Sequence, residues 1–194
     1  MDACEKQGIP VVVLDRPNPI NCIDEEGPIL DLGYTSFVGL HSIPVRHGKT
    51  IGELARLFKA ERFPSCELYV MEMENYDKRM WFDETGLPWV MPSPNMPTLD
   101  TAIVYPGMCL LEATNVSEGR GTTRPFEIFG APFIDAEKLC RYMNGLKLPG
   151  VLFRENYFQP TFHKGAGSIC GGAQIHVLDR NVFRSFDMTI KLLQ

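Results

Sequence analysis

The chain has 194 residues, of which 44% are hydrophobic and 22% are charged, and its formal net charge is −5. This composition is typical of a globular protein that can bury a core. No basic run is present, which argues against a nucleic-acid surface, because phosphate backbones are bound by clustered lysine and arginine. No apolar run approaches the roughly 20 residues of a membrane span, and the opening residues MDACEK lack the apolar segment of a signal peptide.

The usual signals for metals and cofactors are missing. The six cysteines include no CxxC pair, and the four histidines share no ligand spacing, so we expect no metal site. No GxGxxG motif follows the first predicted strand, so we expect no nicotinamide cofactor. Most of the cysteines are interpreted as small core residues.

The first predicted strand covers residues 9–14, IPVVVL, and follows the end of a helix over residues 1–8. A continuous β-branched run is typical of a parallel strand that is covered on both faces. Ligands of open α/β sheets bind beyond the carboxyl ends of the strands, which makes Asp15, Arg16 and Asn18 candidate binding residues. The alternative is that Asp15 and Arg16 only hold the loop in place.

A helix start is the clearest signal in the next part of the chain, after residues 22–35, which we predict to be a loop. Thr50 precedes Glu53 by three residues, and apolar residues follow at helical spacing. This pattern is a capping box, and it predicts a helix over residues 50–60.

His47 and the triplet GKT at residues 48–50 lie directly before this helix. The triplet resembles the end of a phosphate-binding loop, but that motif needs a glycine at position 43, where this chain has Ile43. A phosphate- or nucleotide-handling function is therefore disfavoured. His47 is either a ligand contact at the positive end of the helix or a hydrogen-bonded structural residue.

Residues 67–73 predict a second strand. Trp89 comes next and is followed by three prolines within residues 92–97, which make a stiff segment that is not helical. Trp89 is interpreted either as a stacking surface for a sugar ring or as a core residue.

The most informative segment is residues 109–126, CLLEATNVSEGRGTTRPF. The apolar run over residues 108–111 predicts the end of a buried strand. A loop rich in hydroxyl groups and charges follows it. The alternative to a functional site is a solvated loop whose Ser and Thr residues cap turns.

The charged residues of this loop point to a sugar or a small anion. Gly119 and Gly121 flank Arg120, so the backbone can approach a ligand closely and the guanidinium group can point into a cleft. Two carboxylates, Glu112 and Glu118, lie six residues apart on either side of several hydroxyl groups.

The remaining residues predict a helix, two strands and a final helix. The first helix covers residues 135–144 and is capped by Asp135. The strands cover residues 150–158 and 173–178, with a glycine-rich loop between them, and the last helix begins at Asn181.

Several segments together resemble the exo-β-N-acetylmuramidases of the NamZ type, and the resemblance covers nearly the whole chain. The segments are VVLDRPNP (12–19), SFVG (36–39), RHGKTIGELA (46–55), WVMPSPNMPT (89–98), VYPGMCLLEATNVSEGRGTTRPF (104–126) and GAPF (130–133). The run from Pro92 to Phe126 is the most specific part.

The resemblance implies an α/β protein in which the C-terminal part of a Rossmann-like domain, residues 1–100, is followed by a smaller α/β domain, residues 101–194. It implies an active site in the cleft between the two domains and no cofactor. The implied reaction is the removal of terminal N-acetylmuramic acid from the non-reducing end of peptidoglycan fragments, and the implied location is periplasmic or secreted.

Members of this family are considerably longer, and a Pro-Glu-His-Gly stretch precedes the part that matches Met1. We therefore expect this chain to be a fragment that lacks the N-terminal part and the C-terminal end of the family. A catalytic acid in the missing part would leave a non-catalytic module that binds cell-wall sugars, which is the alternative function.

Glycoside hydrolysis normally needs one group that protonates the leaving oxygen and a second group that acts at the anomeric carbon. Glu118 and Glu112 are the candidate catalytic residues. Arg120 and Arg16 are candidates for reading the lactyl carboxylate of muramic acid, because an arginine fork matches a carboxylate. The candidate substrate-binding residues are Asp15, Arg16, Asn18, His47, Asn95, Ser117, Arg120 and Thr122.

Overall fold

The computed structural model describes residues 1–194 and mixes helices with parallel and antiparallel strands, which confirms the α/β class. The helices are α1 (Asp2–Gln7), α2 (Ile51–Arg62), α3 (Leu99–Met108), α4 (Ala136–Gly145) and α5 (Ser185–Leu193). The strands are β1 (Val11–Leu14), β2 (Glu26–Ile29), β3 (Pro44–Arg46), β4 (Leu68–Met71), β5 (Ile128–Ala131), β6 (Val151–Phe158) and β7 (Cys170–Val177). Short 3-10 turns cover Leu32–Tyr34, Phe82–Glu84 and Cys109–Ala113. None of the helices is both long enough and apolar enough to span a bilayer.

The chain divides into two compact units. Unit 1 holds residues 1–25 and 46–89, and unit 2 holds residues 26–45 and 90–194. Residues 26–45 thus belong with the later part of the chain, and β2, which they contain, lies within the stretch predicted to be a loop. That prediction is wrong for residues 26–29, because the short strand EGPI pairs with β3 and has too few apolar residues to show alternation.

Unit 1 is built on a parallel strand pair. β1 pairs with β4 from Val11 opposite Leu68 to Leu14 opposite Met71. Helix α2 lies between the two strands in sequence and packs against both, as a parallel connection requires. One strand–helix–strand element does not define a Rossmann-like sheet, so that part of the fold stays a prediction.

One face of the strand β1 is open within the described chain, so cover on both faces stays a prediction. Val12 is 59% exposed and Leu14 is 73% exposed, and the facing side chains of β4 are also exposed. The apolar run indicates which residues favour burial, but within the described chain β1 has the single strand partner β4, and the face that carries Val12 and Leu14 stays open.

The predicted capping box is present at the start of α2. The Thr50 hydroxyl accepts from the Glu53 N–H at 3.2 Å, and the Glu53 carboxylate accepts from the Thr50 N–H at 3.0 Å. The Asp15 carboxylate accepts from the Thr50 hydroxyl at 2.8 Å and from the Gly52 N–H at 2.9 Å. A carboxylate of the protein therefore occupies the helix N-terminus, where a phosphate group would otherwise bind.

We expect Thr50→Ala to lower the free energy of unfolding by about 1–2 kcal/mol, because it removes the cap and one partner of Asp15. Chemical denaturation of both proteins measures the difference. Thr50→Ser keeps the hydroxyl and is the matched control. An equal loss in the two variants would show that the methyl group, rather than the cap, is what matters.

Unit 2 contains an antiparallel sheet in the order β5-β7-β6, with helices α3, α4 and α5. The predicted cap of α4 is confirmed, since Asp135 accepts from the Lys138 N–H. The strands predicted over residues 150–158 and 173–178 are also confirmed as β6 and β7. The largest fully buried side chains of this unit include Met108, Leu111, Phe126, Phe129, Met143 and Met188.

The apolar run at residues 108–111 is not a strand, so that prediction is wrong. Met108 ends helix α3, and the 3-10 turn Cys109–Ala113 follows it directly. Pro106 lies inside the helix, near its C-terminus, which is why the sequence looks like a break before a strand.

Candidate functional site

Three segments of unit 2 bring five charged or titratable side chains together. The 3-10 turn Cys109–Ala113 supplies Glu112, and the next loop supplies Glu118 and Arg120. The connection between β6 and β7 supplies His163 and Lys164. Ser117 fixes the second segment to the sheet, because its backbone N–H and C=O both bond to Gly130 of β5.

Glu118 is the centre of this cluster and is completely buried, with a side-chain exposure of 0%. Lys164 Nζ lies 2.7 Å from one carboxylate oxygen. Arg120 Nε at 3.2 Å and His163 Nδ1 at 3.3 Å contact the other. Neither oxygen has a well-aligned hydrogen bond, so the contacts are ion pairs by distance. A buried carboxylate is tolerated only when opposite charges surround it in this way.

Arg120 bridges the two carboxylates. Its Nη2 lies 2.8 Å from Glu112, while its Nε contacts Glu118. The guanidinium group also lies over the ring of Phe126, 5.2 Å from the centroid, and Tyr105 packs edge-on against that same ring. Arg120 is therefore held in one position by charges on two sides and by an aromatic ring.

The loops that carry the cluster are fastened to each other. Lys164 Nζ donates to the carbonyl of Leu111 at 2.7 Å and to that of Thr114 at 3.2 Å. Thr161 donates to the carbonyl of Gly121 from its N–H and its hydroxyl, each at 3.0 Å. These bonds fix the site before any ligand binds.

Gly119 and Gly121 allow a close backbone approach, as predicted, but the neighbour is the chain itself. Both have φ of +82°, in the left-handed region that favours glycine. A Cβ atom on Gly121 would lie 2.7 Å from the Phe162 carbonyl, and one on Gly119 would lie 2.3 Å from the Ile128 carbonyl.

The accessible part of the cluster is a mixed acid–base surface above the buried carboxylate. The side chains of His163 and Glu112 are 49% and 40% exposed, and those of Arg120 and Lys164 are 26% and 20% exposed. Such a surface can donate several hydrogen bonds, bind an anionic group and transfer a proton.

Comparison with known families identifies the chain. The model of the N-terminal region of the exo-β-N-acetylmuramidase NamZ matches residues 1–100, and the model of its C-terminal region matches residues 103–194. The chain belongs to the NamZ family. The resemblance inferred from the sequence segments is thereby confirmed.

Individual relatives agree with this NamZ assignment. The chain is 50% identical over 194 residues to the peptidoglycan β-N-acetylmuramidase NamZ of Bacillus subtilis (strain 168), a match that covers all of this chain and 47% of that protein. It is similar to the crystal structure of a DUF1343 family protein from Bacteroides fragilis, with 36% identity, a TM-score of 0.94, and coverage of 100% of this chain and 51% of that one. A second DUF1343 structure from the same organism has 31% identity, a TM-score of 0.72 and coverage of 98% and 49%. The chain thus spans about half the length of these relatives.

Four of the predicted substrate-binding residues lie in unit 1, apart in sequence from the cluster, and the side chains of three of them form hydrogen bonds within that unit. Asp15 caps α2, and Asn18 donates to the carbonyl of Lys49 at 3.1 Å and accepts from the Ile20 N–H at 3.2 Å. Arg16 is exposed and lines an open pocket of about 400 Å³ beyond the ends of β1 and β4.

His47 is the fourth residue of this group. Its Nδ1 accepts from the Lys49 N–H at 3.2 Å, a bond that the structural alternative predicts, and the role as a ligand contact stays a prediction. Burial lowers the pKa of His47, the charge of Lys49 lowers it further, and Glu25 opposes the shift. A neutral imidazole suits an acceptor.

In unit 2 the hydroxyl groups predicted to bind sugar are used within the loop. Ser117 is buried, and its hydroxyl accepts from the Gly119 N–H at 3.2 Å. The Thr122 hydroxyl donates to the Gly119 carbonyl at 2.6 Å and accepts from the Arg124 N–H at 3.1 Å. Asn95 lies in the proline-rich segment, where its backbone N–H contacts the Ser93 hydroxyl.

His163 and Lys164 are the site residues that sequence reasoning missed. They lie about 45 residues after Glu118, in the loop that was noted for its glycines alone. The signal available was a histidine and a lysine next to each other in such a loop, since glycine-rich connections often position functional groups. No group of three or more His, Cys, Asp or Glu side chains is arranged to hold a metal ion.

Proposed function

We propose that this chain acts on peptidoglycan fragments and removes terminal N-acetylmuramic acid from their non-reducing ends. The observation that carries the proposal is the prebuilt cluster of Glu112, Glu118, Arg120, His163 and Lys164 in unit 2. The B. subtilis relative, named as a peptidoglycan β-N-acetylmuramidase, supports it through 50% identity over the whole chain. Peptidoglycan lies outside the cytoplasm, so we also propose a periplasmic or secreted location.

The chemistry of the cluster supports a glycosidase acting on an acidic sugar. Hydrolysis of a glycosidic bond needs a proton donor near the leaving oxygen, and the cluster has titratable groups at its surface. Muramic acid carries a lactyl carboxylate, which arginine and lysine can bind. The same surface also contains a carboxylate, Glu112, that can accept hydrogen bonds from sugar hydroxyl groups.

The direct test is the release of free N-acetylmuramic acid from the disaccharide MurNAc-GlcNAc, measured by liquid chromatography and mass spectrometry. We expect release from this disaccharide and none from GlcNAc-MurNAc, whose non-reducing end is the wrong sugar. Binding of MurNAc-GlcNAc in calorimetry without release would make the chain a sugar-binding module instead. If MurNAc-GlcNAc is neither bound nor hydrolysed, the proposal is refuted.

We expect Arg120→Ala to weaken the binding of N-acetylmuramic acid by roughly 10–100-fold, which corresponds to one charge-assisted hydrogen bond of about 1.5–3 kcal/mol. Nε and Nη2 already contact carboxylates, which leaves Nη1 to bind the lactyl group. Binding of N-acetylglucosamine, which has no lactyl group, should change much less in the same calorimetric titration. Equal losses for both sugars would refute the lactyl role, and Arg141→Ala on the exposed face of α4 is the control.

A further inference from the structure

The buried position of Glu118 separates it from any saccharide. Its side chain is 0% exposed, so another group of the cluster must carry out chemistry at the surface. His163 is the most exposed partner of Glu118, at 49%, and its Nδ1 lies 3.3 Å from the Glu118 carboxylate. An imidazole that contacts a carboxylate through one nitrogen presents its other nitrogen on the opposite side of the ring.

We propose that His163 is the catalytic proton donor to the glycosidic oxygen and that Glu118 is the residue that positions it. This proposal rests on the proposed function and assigns a residue to it. Histidine is the side chain used most often in general acid–base catalysis, because its charge changes near neutral pH. Glu118 contacts the imidazole at Nδ1 and places a negative charge beside it.

The backbone at His163 is held in an uncommon conformation. Its φ is +67°, in the left-handed region that non-glycine residues seldom adopt. The neighbouring Thr161 is bonded twice to Gly121, and the Ala166 N–H donates to the carbonyl of His163. A non-glycine residue keeps this backbone conformation only where the surrounding structure imposes it. Residues of this kind cluster at functional sites.

The charged groups of the cluster around Glu118 come from all three of its segments. Glu118 and Glu112 are negative, and Arg120 and Lys164 are positive. The four charges cancel when the imidazole is neutral.

The step conserves atoms and electrons with water as the co-reactant. The protonated imidazole gives its Nε2 proton to the glycosidic oxygen while the bond between that oxygen and the anomeric carbon breaks, and the electron pair leaves with the oxygen. The leaving sugar departs as an alcohol. A water oxygen forms the new bond to the anomeric carbon, its surplus proton passes to solvent, and solvent restores the proton on the imidazole.

The test compares two leaving groups in the protein and in His163→Asn. Asparagine tolerates the left-handed backbone, so the loop keeps its conformation. We expect His163→Asn to lower kcat/KM on MurNAc-GlcNAc by roughly 100–10,000-fold, the usual contribution of a general acid. On para-nitrophenyl β-N-acetylmuramide the loss should be below about 10-fold, because nitrophenolate leaves without a proton. His41→Asn is the control and should change neither substrate.

The experiment distinguishes failure of the proposed function from failure of the role of His163. No turnover of either substrate by the unaltered protein refutes the proposed function, and the role of His163 falls with it. Turnover by the unaltered protein with equal losses on both substrates in His163→Asn refutes the role of His163 alone. Glu118→Gln, which keeps the side-chain shape, is a second test. It should show the same dependence on the leaving group with a smaller loss, and equal losses on both substrates would refute its positioning role.

Discussion

Lys164→Met is expected to lower the free energy of unfolding by about 3 kcal/mol, at the lower end of the cost of breaking a buried ion pair. Lys164 Nζ is the nearest cation to the buried Glu118 carboxylate, at 2.7 Å, and it also donates to the carbonyls of Leu111 and Thr114. Methionine matches the four-atom aliphatic stem of lysine but lacks the ammonium group, so all three acceptors lose this partner. The loss stays near 3 kcal/mol because Arg120 and His163 still contact Glu118.

Urea denaturation of the single variants and of the double variant Lys164→Met, Glu118→Gln separates charge from packing. Neutralising both partners removes the uncompensated buried charge, so the double variant should be more stable than Lys164→Met alone. Lys138→Met is the matched control, because its ion pair with Asp135 is exposed on α4, and it should leave the stability unchanged. A double variant that is no more stable than Lys164→Met would show that the carbonyl contacts, and not the buried charge, set the stability.

Local signals in the sequence were sufficient for the parts of the fold that local bonds determine. The capping boxes and caps at Thr50 and Asp135 depend on residues three positions apart, and both helices begin where these residues predict. The grouping of Glu112, Glu118 and Arg120 in one loop was accessible because all three lie within nine residues, but their ion pairs were not predicted, since Arg120 was expected to bind a ligand carboxylate.

Features that depend on distant residues were not accessible. His163 and Lys164 reach Glu118 because the loop before β7 bonds to Gly121, and no local pattern encodes that contact. The glycines around Arg120 were interpreted as room for a ligand, and they are instead room for the backbone of the chain. A glycine pattern indicates a close approach without indicating which partner approaches.

The C-terminal part of α3 shows the same limit in a helix. Pro106 lacks an N–H group, so the local sequence predicts a break. The helix nevertheless continues to Met108, and Ser185 of α5 bonds to its C-terminal part. The Ser185 hydroxyl accepts from the Gly107 N–H at 2.9 Å and donates to the Val104 carbonyl at 2.5 Å. These bonds join residues about 80 positions apart, so no periodic pattern in the local sequence predicts them.

Gly107→Ala is therefore expected to destabilise the protein by about 3 kcal/mol, at the upper end of the usual cost of overpacking. A Cβ atom at this position would lie 2.0 Å from the Ser185 carbonyl oxygen and 2.5 Å from the Thr189 hydroxyl, so α3 and α5 have to move apart. Thermal and urea unfolding measure the effect.

Gly145→Ala, at the end of α4, is the control that separates crowding from a general effect of adding a methyl group to a helix. No heavy atom lies within 4 Å of the added Cβ there, so the substitution should be neutral or slightly stabilising, because alanine favours the helix over glycine. Equal stability changes at the two positions would mean that α3 and α5 pack less closely than the structure shows. A large loss at Gly107 alone would show that this glycine is what allows α5 to approach closely enough for the Ser185 hydroxyl to bond to the backbone of α3.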